Sequence, residues 1–348
     1  MIMNPHKASR IDTWNLGDLE PATACLACGG NNTLRQHVGL TDMLAGLPGS
    51  WNFLSCRSCG SLTLDPRPTP MAIAKAYPEG YVTHRAGAEA HERDNGSGLL
   101  WRLANGYLNA RFGCKRAPAD ASGRALIPLA FPVRQQLDYF YRHLPKGGSG
   151  TLLDVGCGNG AFLIRARSAG WIARGIEPDP EAAQAAQSAG VDVSNCTIDA
   201  FSANAEFDHI TLSHVFEHLH SPASALQRVR GWLKPGGLLW MALPNPGGIG
   251  HKVYRENWFA LDPPRHLMLP SQRELRAMLG RAGYEDIRFL RRGRGSRSSI
   301  LPSEMYARKR GRGIRHGGNS LSVLVDLLAS LYPRFAEETV VVAKSPEA

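Results

Sequence analysis

The stretch that decides the fold is Leu152-Leu-Asp-Val-Gly-Cys-Gly-Asn-Gly160. A short apolar run, typical of a buried strand, leads directly into three glycines spaced by one residue, and a helical pattern follows. Glycine permits the tight turn from strand to helix and lets the main chain approach a ligand closely. The loop alone does not distinguish among the folds that bind nucleotides in this way.

The pattern of a strand followed by a helix recurs in the part of the chain after this loop. From Thr151 onward, short apolar runs alternate with amphipathic helices, which predicts an α/β fold with a parallel sheet covered on both faces. Strands are expected at about 151–155, 172–177, 191–195, 207–213, 237–243, 285–290 and 338–344. The predicted fold is therefore a Rossmann-like, seven-stranded, doubly wound sheet.

Two acidic residues follow the next predicted strands in order. Glu177 ends the second strand, where a carboxylate can accept both hydroxyls of a ribose, and Asp199 follows the third. Leu233-Lys-Pro-Gly-Gly237 then joins a helix end, a turn and a strand start. With the glycine loop, these ordered features resemble the class I S-adenosylmethionine-dependent methyltransferases over about residues 135–290 and the last strand.

The resemblance implies a role for each position of the loop and strand ends. Its glycine loop would surround the methionine end of S-adenosylmethionine, the acid after the second strand would bind the ribose, and later residues would contact the adenine and the sulfonium. The residues implied are Asp154, Gly156 and Gly158 for the methionine end, Cys157 and Gly160 for the cofactor more generally, Glu177 for the ribose, Asp199 and Phe201 for the adenine, and Ser213 and His214 beneath the sulfonium.

Four of the seven cysteines form two C-x-x-C-G pairs, at Cys25 and Cys28 and at Cys56 and Cys59. Each pair is a tight turn that points two thiolates at one ion, and two such turns supply the four tetrahedral ligands of a structural Zn²⁺ ribbon. We therefore expect a zinc-ribbon module with a proline-rich spacer at 1–82 and a helical connector or lid at 83–148. The methyltransferase domain would occupy 149–348, with a basic and apolar-helix insertion at about 291–334.

The zinc module, together with His214-Val-Phe-Glu-His-Leu-His220, narrows the resemblance to methyltransferases with an N-terminal four-cysteine domain. This group includes C-methyltransferases of nucleotide-linked keto-sugars. The resemblance implies that Glu217 and His218 face the substrate and that Tyr77 and Tyr81 contribute from the N-terminal side. His218 would remove a proton beside the keto group of a small-molecule acceptor that carries a pyrophosphate.

Other acceptors remain open at this point. The same base could deprotonate the oxygen of a phenolic or lipid-linked acceptor, which would make the chain an O-methyltransferase. Glu217 and His218 could also simply begin the helix after the fourth strand. A nucleic-acid methyltransferase is disfavoured, because Ser213-His-Val-Phe216 lacks the Asn/Asp-Pro-Pro-Tyr/Phe sequence used for methylation of base amino groups.

The net charge of +10 is concentrated near the C-terminus, where Arg288–His316 holds ten Lys or Arg residues and one acid, Glu304. This stretch precedes the apolar run Leu321–Leu331. The pair could contact an anionic membrane surface, or the run could pack on the sheet while the arginines remain solvated. No signal peptide and no apolar stretch of about 18 residues is readable, so we expect a cytoplasmic protein.

A final candidate is Asn257-Trp-Phe-Ala-Leu-Asp-Pro-Pro-Arg-His266, which lies between the fifth strand and the next helix. Trp258, Arg265 and His266 could contact the acceptor here. Alternatively, the segment is a rigid turn held by its two prolines.

Overall fold

The computed structural model describes residues 14–78, 98–146, 148, 150–311 and 317–347. The strands are β1 Leu19–Glu20, β2 Thr33–Leu40, β3 Trp51–Cys56, β4 Leu62–Asp65, β5 Arg67–Pro68, β6 Thr151–Val155, β7 Ile172–Ile176, β8 Asp192–Ser194, β9 Phe207–Ser213, β10 Leu233–Pro244, β11 Met268–Leu269, β12 Glu285–Leu290 and β13 Glu338–Lys344. The α-helices are α1 Leu99–Phe112, α2 Gly123–Leu129, α3 Phe131–Phe140, α4 Ala161–Ser168, α5 Pro180–Ser188, α6 Pro222–Trp232, α7 Ile249–Tyr254, α8 Gln272–Arg281, α9 Arg297–Lys309 and α10 Gly318–Leu331.

Seven strands form the main sheet, in the order β12-β13-β10-β9-β6-β7-β8. Strands β6 to β10 run parallel, and β13 is antiparallel to both of its neighbours. The prediction of a Rossmann-like sheet with seven strands is confirmed, but the prediction that all of them run parallel is wrong. Strands β7 and β8 lie on one side of β6, and β9 and β10 lie on the other. Ligands bind to such sheets at the point between β6 and β9 where the direction of the chain connections changes.

The reversal of β13 follows from the two helices before it. Ser296, just before α9, donates through its hydroxyl to the carbonyl of Ser322 in α10, while Glu304 in α9 accepts from the amide of Gly318 at the start of α10. The two helices are therefore antiparallel. Because the chain passes out along one helix and back along the other, it re-enters the sheet at the edge where β12 left it.

The central strands are buried on both faces, as expected for strands between helix layers. In β6, neighbouring residues Leu152 and Leu153 are both fully buried, although they point to opposite faces. Leu153 belongs to a core with Ile210 and Met241, while Leu152 packs with the helices of the other face, including Phe162. This packing on both faces holds the central strands in position, and the functional site lies at their carboxyl ends.

The N-terminal cysteine region forms a second sheet, in the order β11-β4-β3-β2. Its edge strand β11 lies between β10 and β12 in the sequence and pairs antiparallel with β4. The two parts also share a core, in which Trp51 and Leu64 pack with Tyr254 and Trp258. The N-terminal module is therefore joined to the segment between β10 and β12 by backbone pairing and by side-chain packing.

Helix α10 carries apolar residues on both faces, with Val325 and Ala329 buried and Val323, Leu324 and Leu327 exposed. None of the helices in the described ranges is long and apolar enough to cross a bilayer. Contact of the exposed face with a membrane surface stays a prediction.

Candidate functional site

The glycine loop follows β6 at the carboxyl edge of the sheet. Gly156, Gly158 and Gly160 all have positive φ, at 67°, 54° and 77°. A Cβ at Gly156 would lie 2.4 Å from a methyl of Val215, whereas a Cβ at Gly158 would meet nothing within 4 Å. The loop thus presents bare backbone at Gly158 beside open space, as a close-binding ligand requires.

Asp154, which precedes the loop, is fully buried and paired with a residue that the sequence did not point to. The guanidinium of Arg142 forms an ion pair with Asp154, and the hydroxyl of Thr211 donates to the same carboxylate oxygen over 2.9 Å. Burial raises the pKa of Asp154, and Arg142 and Thr211 offset part of the rise. The second oxygen, Oδ2, has no hydrogen-bond partner among the described residues. A donor on a bound ligand could therefore pair with it.

Glu177 lies at the end of β7, directly beside the loop. Its two oxygens accept hydrogen bonds from the amides of Gly158, at 2.8 Å, and Asp179, at 3.0 Å. Burial raises the pKa of Glu177, and the two amide donors lower it in part. Each oxygen keeps a second lone pair, so the carboxylate is held in place and can still accept from a ribose. The neighbouring thiol of Cys157 is buried beneath the loop.

The other predicted cofactor residues occupy the same edge with looser surroundings. Asp199 is exposed and forms an ion pair with Arg228 over 3.5 Å. Phe201 is half-buried, with its ring edge-on to Trp232 at 5.1 Å between centroids. Ser213 is the last residue of β9 and is half-buried. Their contact with the cofactor stays a prediction.

His214 stands just past the end of β9 with φ of 54°, a left-handed conformation that is uncommon outside glycine. Its Nδ1 lies 3.3 Å from Glu217 and its Nε2 lies 3.2 Å from Glu338. Burial lowers the pKa of His214, but the two carboxylates outweigh this effect and hold it well above its usual value. The charged imidazolium therefore compensates part of the negative charge of the two acids beside the strand end, and Arg292 also pairs with Glu338, at 3.0 Å.

His218 lies one turn further along, in the short 3-10 helix Phe216–His218. Its Nδ1 is 3.0 Å from the hydroxyl of Tyr77 and 3.0 Å from the carbonyl oxygen of Arg265. The ring of His266 stands edge-on to it, with the centroids 4.8 Å apart. Burial lowers the pKa of His218 to about 4, so the ring is neutral at neutral pH. Tyr81 lies outside the described residues.

The candidate segment before α8 divides into buried and site-facing residues. Trp258 is buried and donates from its indole to Glu337 over 2.8 Å. Arg265 is completely buried between Asp42 and Asp262. Of these three side chains, only that of His266 stands against His218, and contact of Trp258 or Arg265 with the acceptor stays a prediction. Both residues hold the turn in place.

The four cysteines meet at one point. The Sγ atoms of Cys25 and Cys59 are 3.6 Å apart, as are those of Cys28 and Cys56, and the four sulfurs lie within 4.8 Å of one another. Tetrahedral Zn–S bonds of about 2.3 Å place the sulfurs about 3.8 Å apart, whereas a disulfide needs about 2.05 Å. The four thiols therefore fit a metal ion and form no disulfide.

Part of the chain is similar to a known protein family. Residues 132–288, a little under half of the chain, match the model of a family described as a methyltransferase domain. Over these residues the chain is therefore similar to a methyltransferase domain, which supports the prediction of a class I enzyme that uses S-adenosylmethionine.

The chain is also similar to curated enzymes. It is 33% identical over 131 residues to a ubiquinone biosynthesis O-methyltransferase of Actinobacillus pleuropneumoniae, a match covering 34% of this chain and 55% of the relative. A second enzyme of that name, from Xylella fastidiosa, is 33% identical over 122 residues, or 33% of this chain and 48% of the relative. The chain thus spans about half the length of the curated relatives that it matches.

A solved methyltransferase structure from Thermotoga maritima, titled a possible histamine N-methyltransferase, is 18% identical. It has a TM-score of 0.41 and covers 63% of this chain and 94% of its own.

Proposed function

We propose that the chain transfers the methyl group of S-adenosylmethionine to a hydroxyl oxygen of a small phenolic acceptor. The observation that carries the proposal is the placement of His218 just beyond the end of β9, with Tyr77 from the N-terminal module beside it. The O-methyltransferase names of the curated relatives support oxygen as the acceptor atom. This ranks the oxygen acceptor above the carbon of a keto-sugar nucleotide.

The cofactor would lie over the glycine loop. Gly158 offers open space, Glu177 offers free lone pairs to the ribose, and the unpartnered Oδ2 of Asp154 suits the ammonium of the methionine end. Arg142 joins this set through Asp154. Its charge favours the ionised form of the buried carboxylate, which is the form that accepts hydrogen bonds on both oxygens.

The carbonyl of Arg265 gives His218 a defined tautomer. Because a carbonyl oxygen can only accept, Nδ1 of His218 carries the proton and Nε2 keeps its lone pair. Nε2 is then the base that takes the proton of the acceptor hydroxyl. The oxygen attacks the methyl carbon as the bond from that carbon to the sulfonium breaks, and S-adenosylhomocysteine leaves.

Zinc has a separate place in the proposal. Cys25, Cys28, Cys56 and Cys59 would hold one structural Zn²⁺ ion, and four thiolates leave no coordination position open for chemistry. The ion would stabilise the turns that position Tyr77 through the N-terminal module.

C-methylation is the second candidate, and one contact favours it. An aromatic hydroxyl from the N-terminal side beside the histidine, here Tyr77 at His218, is what the resemblance to keto-sugar C-methyltransferases implies. The two candidates are separated by incubating the protein with methyl-labelled S-adenosylmethionine and either simple phenols and catechols or keto-sugar nucleotides. Label in the phenols supports the proposal, and label in the sugars alone contradicts it.

A further inference from the structure

Two histidines beside Glu217 are oriented alike. Nδ1 of His218 lies 3.0 Å from the carbonyl oxygen of Arg265, and Nδ1 of His266 lies 2.8 Å from that of Ala260. Each ring therefore donates its N–H to a main-chain carbonyl and keeps the lone pair of Nε2. Histidines that bind metal ions are held in this way, with the nitrogen that does not face the metal donating to a carbonyl or carboxylate.

The carboxylate of Glu217 lies beside both histidines. Its Oε1 is 3.9 Å from Nε2 of His266, and one ligand atom from each of the three residues falls within 4.8 Å of the others. Glu217 is fully buried, and neither of its oxygens has a hydrogen-bond partner among the described residues. His214 faces it at 3.3 Å but is shared with Glu338.

We propose that Glu217, His218 and His266 form a second metal site, which binds one divalent transition-metal ion through two imidazole nitrogens and one carboxylate oxygen. Imidazole and carboxylate ligands suit ions such as Mn²⁺, unlike the thiolate set of the N-terminal module. Three protein ligands leave coordination positions open, as in sites where a metal ion meets a substrate.

The role of this ion rests on the proposed function. The hydroxyl of the acceptor takes an open position on the ion, which lowers the pKa of that hydroxyl. Its O–H bond breaks and the proton passes to solvent water. The O–CH₃ bond then forms as the S–CH₃ bond of S-adenosylmethionine breaks. With the ion bound, Nε2 of His218 is a ligand, and the ion takes over activation of the oxygen.

Mn²⁺ is the probe, because it prefers nitrogen and oxygen ligands and leaves the four thiolates to zinc. Protein whose cysteine site is filled with zinc is titrated with Mn²⁺, and the free ion is followed by its electron paramagnetic resonance signal. We expect one bound Mn²⁺ per chain. In His266→Asn, which keeps a donor to Ala260 but removes Nε2, the Kd for Mn²⁺ should rise at least about tenfold.

Two further variants complete the test. Glu217→Gln, which preserves shape and removes the charge, should weaken Mn²⁺ binding in the same way. The matched control is His220→Gln, because Nε2 of His220 bonds to the carbonyl of Pro68 outside the cluster, and binding should be unchanged. Affinity for S-adenosylmethionine, measured by calorimetry, shows that each variant is folded.

The site is overturned if wild-type protein binds no Mn²⁺ beyond background, or if both ligand variants bind it as tightly as wild type. Its failure is distinguishable from failure of the proposed function. Mn²⁺ binding without methyl transfer to any oxygen would contradict the proposed function but not the proposed metal site. Methyl transfer to oxygen without Mn²⁺ binding would contradict the metal site but not the function.

Discussion

Arg265 in the methyltransferase part of the chain and Asp42 in the N-terminal module form a completely buried ion pair, with Nη2 2.6 Å from Oδ1. Arg265 also pairs with Asp262 and donates to the carbonyl of Ala76, one residue before Tyr77. The arginine thus connects the segment that carries His266 to the segment that carries Tyr77.

The two partners of this pair should differ in their effect on stability. Arg265→Leu leaves two buried carboxylates without a counter-charge and should lower the free energy of unfolding by about 3–5 kcal/mol. Asp42→Asn leaves Arg265 paired with Asp262 and should cost about 1–3 kcal/mol. Urea unfolding measures both. Arg67→Ala, which removes a partly exposed pair with Glu20, is the control and should cost less than about 1 kcal/mol. Equal losses for all three variants would contradict the assignment.

Arg142 is expected to stabilise the fold in a pH-dependent way. Arg142→Leu leaves the carboxylate of Asp154 buried and unpaired, so the free energy of unfolding should fall by about 3–5 kcal/mol at neutral pH. Burial already raises the pKa of Asp154, and loss of the cation raises it further. The folded state then binds more protons than the unfolded state, so the deficit should shrink as the pH falls.

Urea unfolding at pH 7.5 and pH 5.5 compares Arg142→Leu with Arg142→Lys, which keeps the charge. A deficit that is the same at both pH values would show that Asp154 is not the group left unpaired.

Glu177 is expected to act on the cofactor and not on the fold. Glu177→Gln keeps one acceptor oxygen but removes the charge that accepts from the ribose, so affinity for S-adenosylmethionine should fall by about 2 kcal/mol, roughly 30-fold. Calorimetry measures the change. Asp192→Asn, at an exposed carboxylate of the adjacent strand, should bind as wild type does. A folded Glu177→Gln protein with unchanged affinity would mean that the ribose lies elsewhere.

The zinc prediction concerns one ion and four ligands. Protein purified without chelator should hold one zinc per chain, and Cys28→Ser should lose it and melt at a lower temperature, because metal binding contributes to folding. Cys196→Ser changes a half-buried cysteine away from the cluster and should keep the zinc. Less than about half an equivalent of zinc in the wild-type protein would contradict a closed four-thiolate site.

Local sequence signals were sufficient for the glycine loop, for Glu177 and for the strands of the main sheet. In each case the information lies within a few consecutive residues: an apolar run, a turn that needs glycine, an acid at a strand end. The four cysteines were equally readable, because two short spacings predict their convergence.

The parts that could not be predicted depend on contacts between distant segments. Arg142 follows a helix and carries no local signal that it will pair with Asp154. The direction of β13 depends on how α9 and α10 pack against each other. Arg265 looks like a candidate ligand for an acceptor, because burial between Asp42 and Asp262 cannot be read from its own neighbourhood.

The measurement that tests the central claim most directly is single-turnover transfer of a ¹³C-labelled methyl group to a catechol, with the labelled atom located by NMR in the product. Wild-type protein should place the label on oxygen. His218→Asn keeps a donor to the Arg265 carbonyl but removes Nε2, so it should bind S-adenosylmethionine normally while transfer slows by about 10²–10⁴-fold. Label on carbon would contradict transfer to oxygen. Transfer by His218→Asn within about threefold of the wild-type rate would contradict the role of His218, because this variant lacks the nitrogen proposed as the general base.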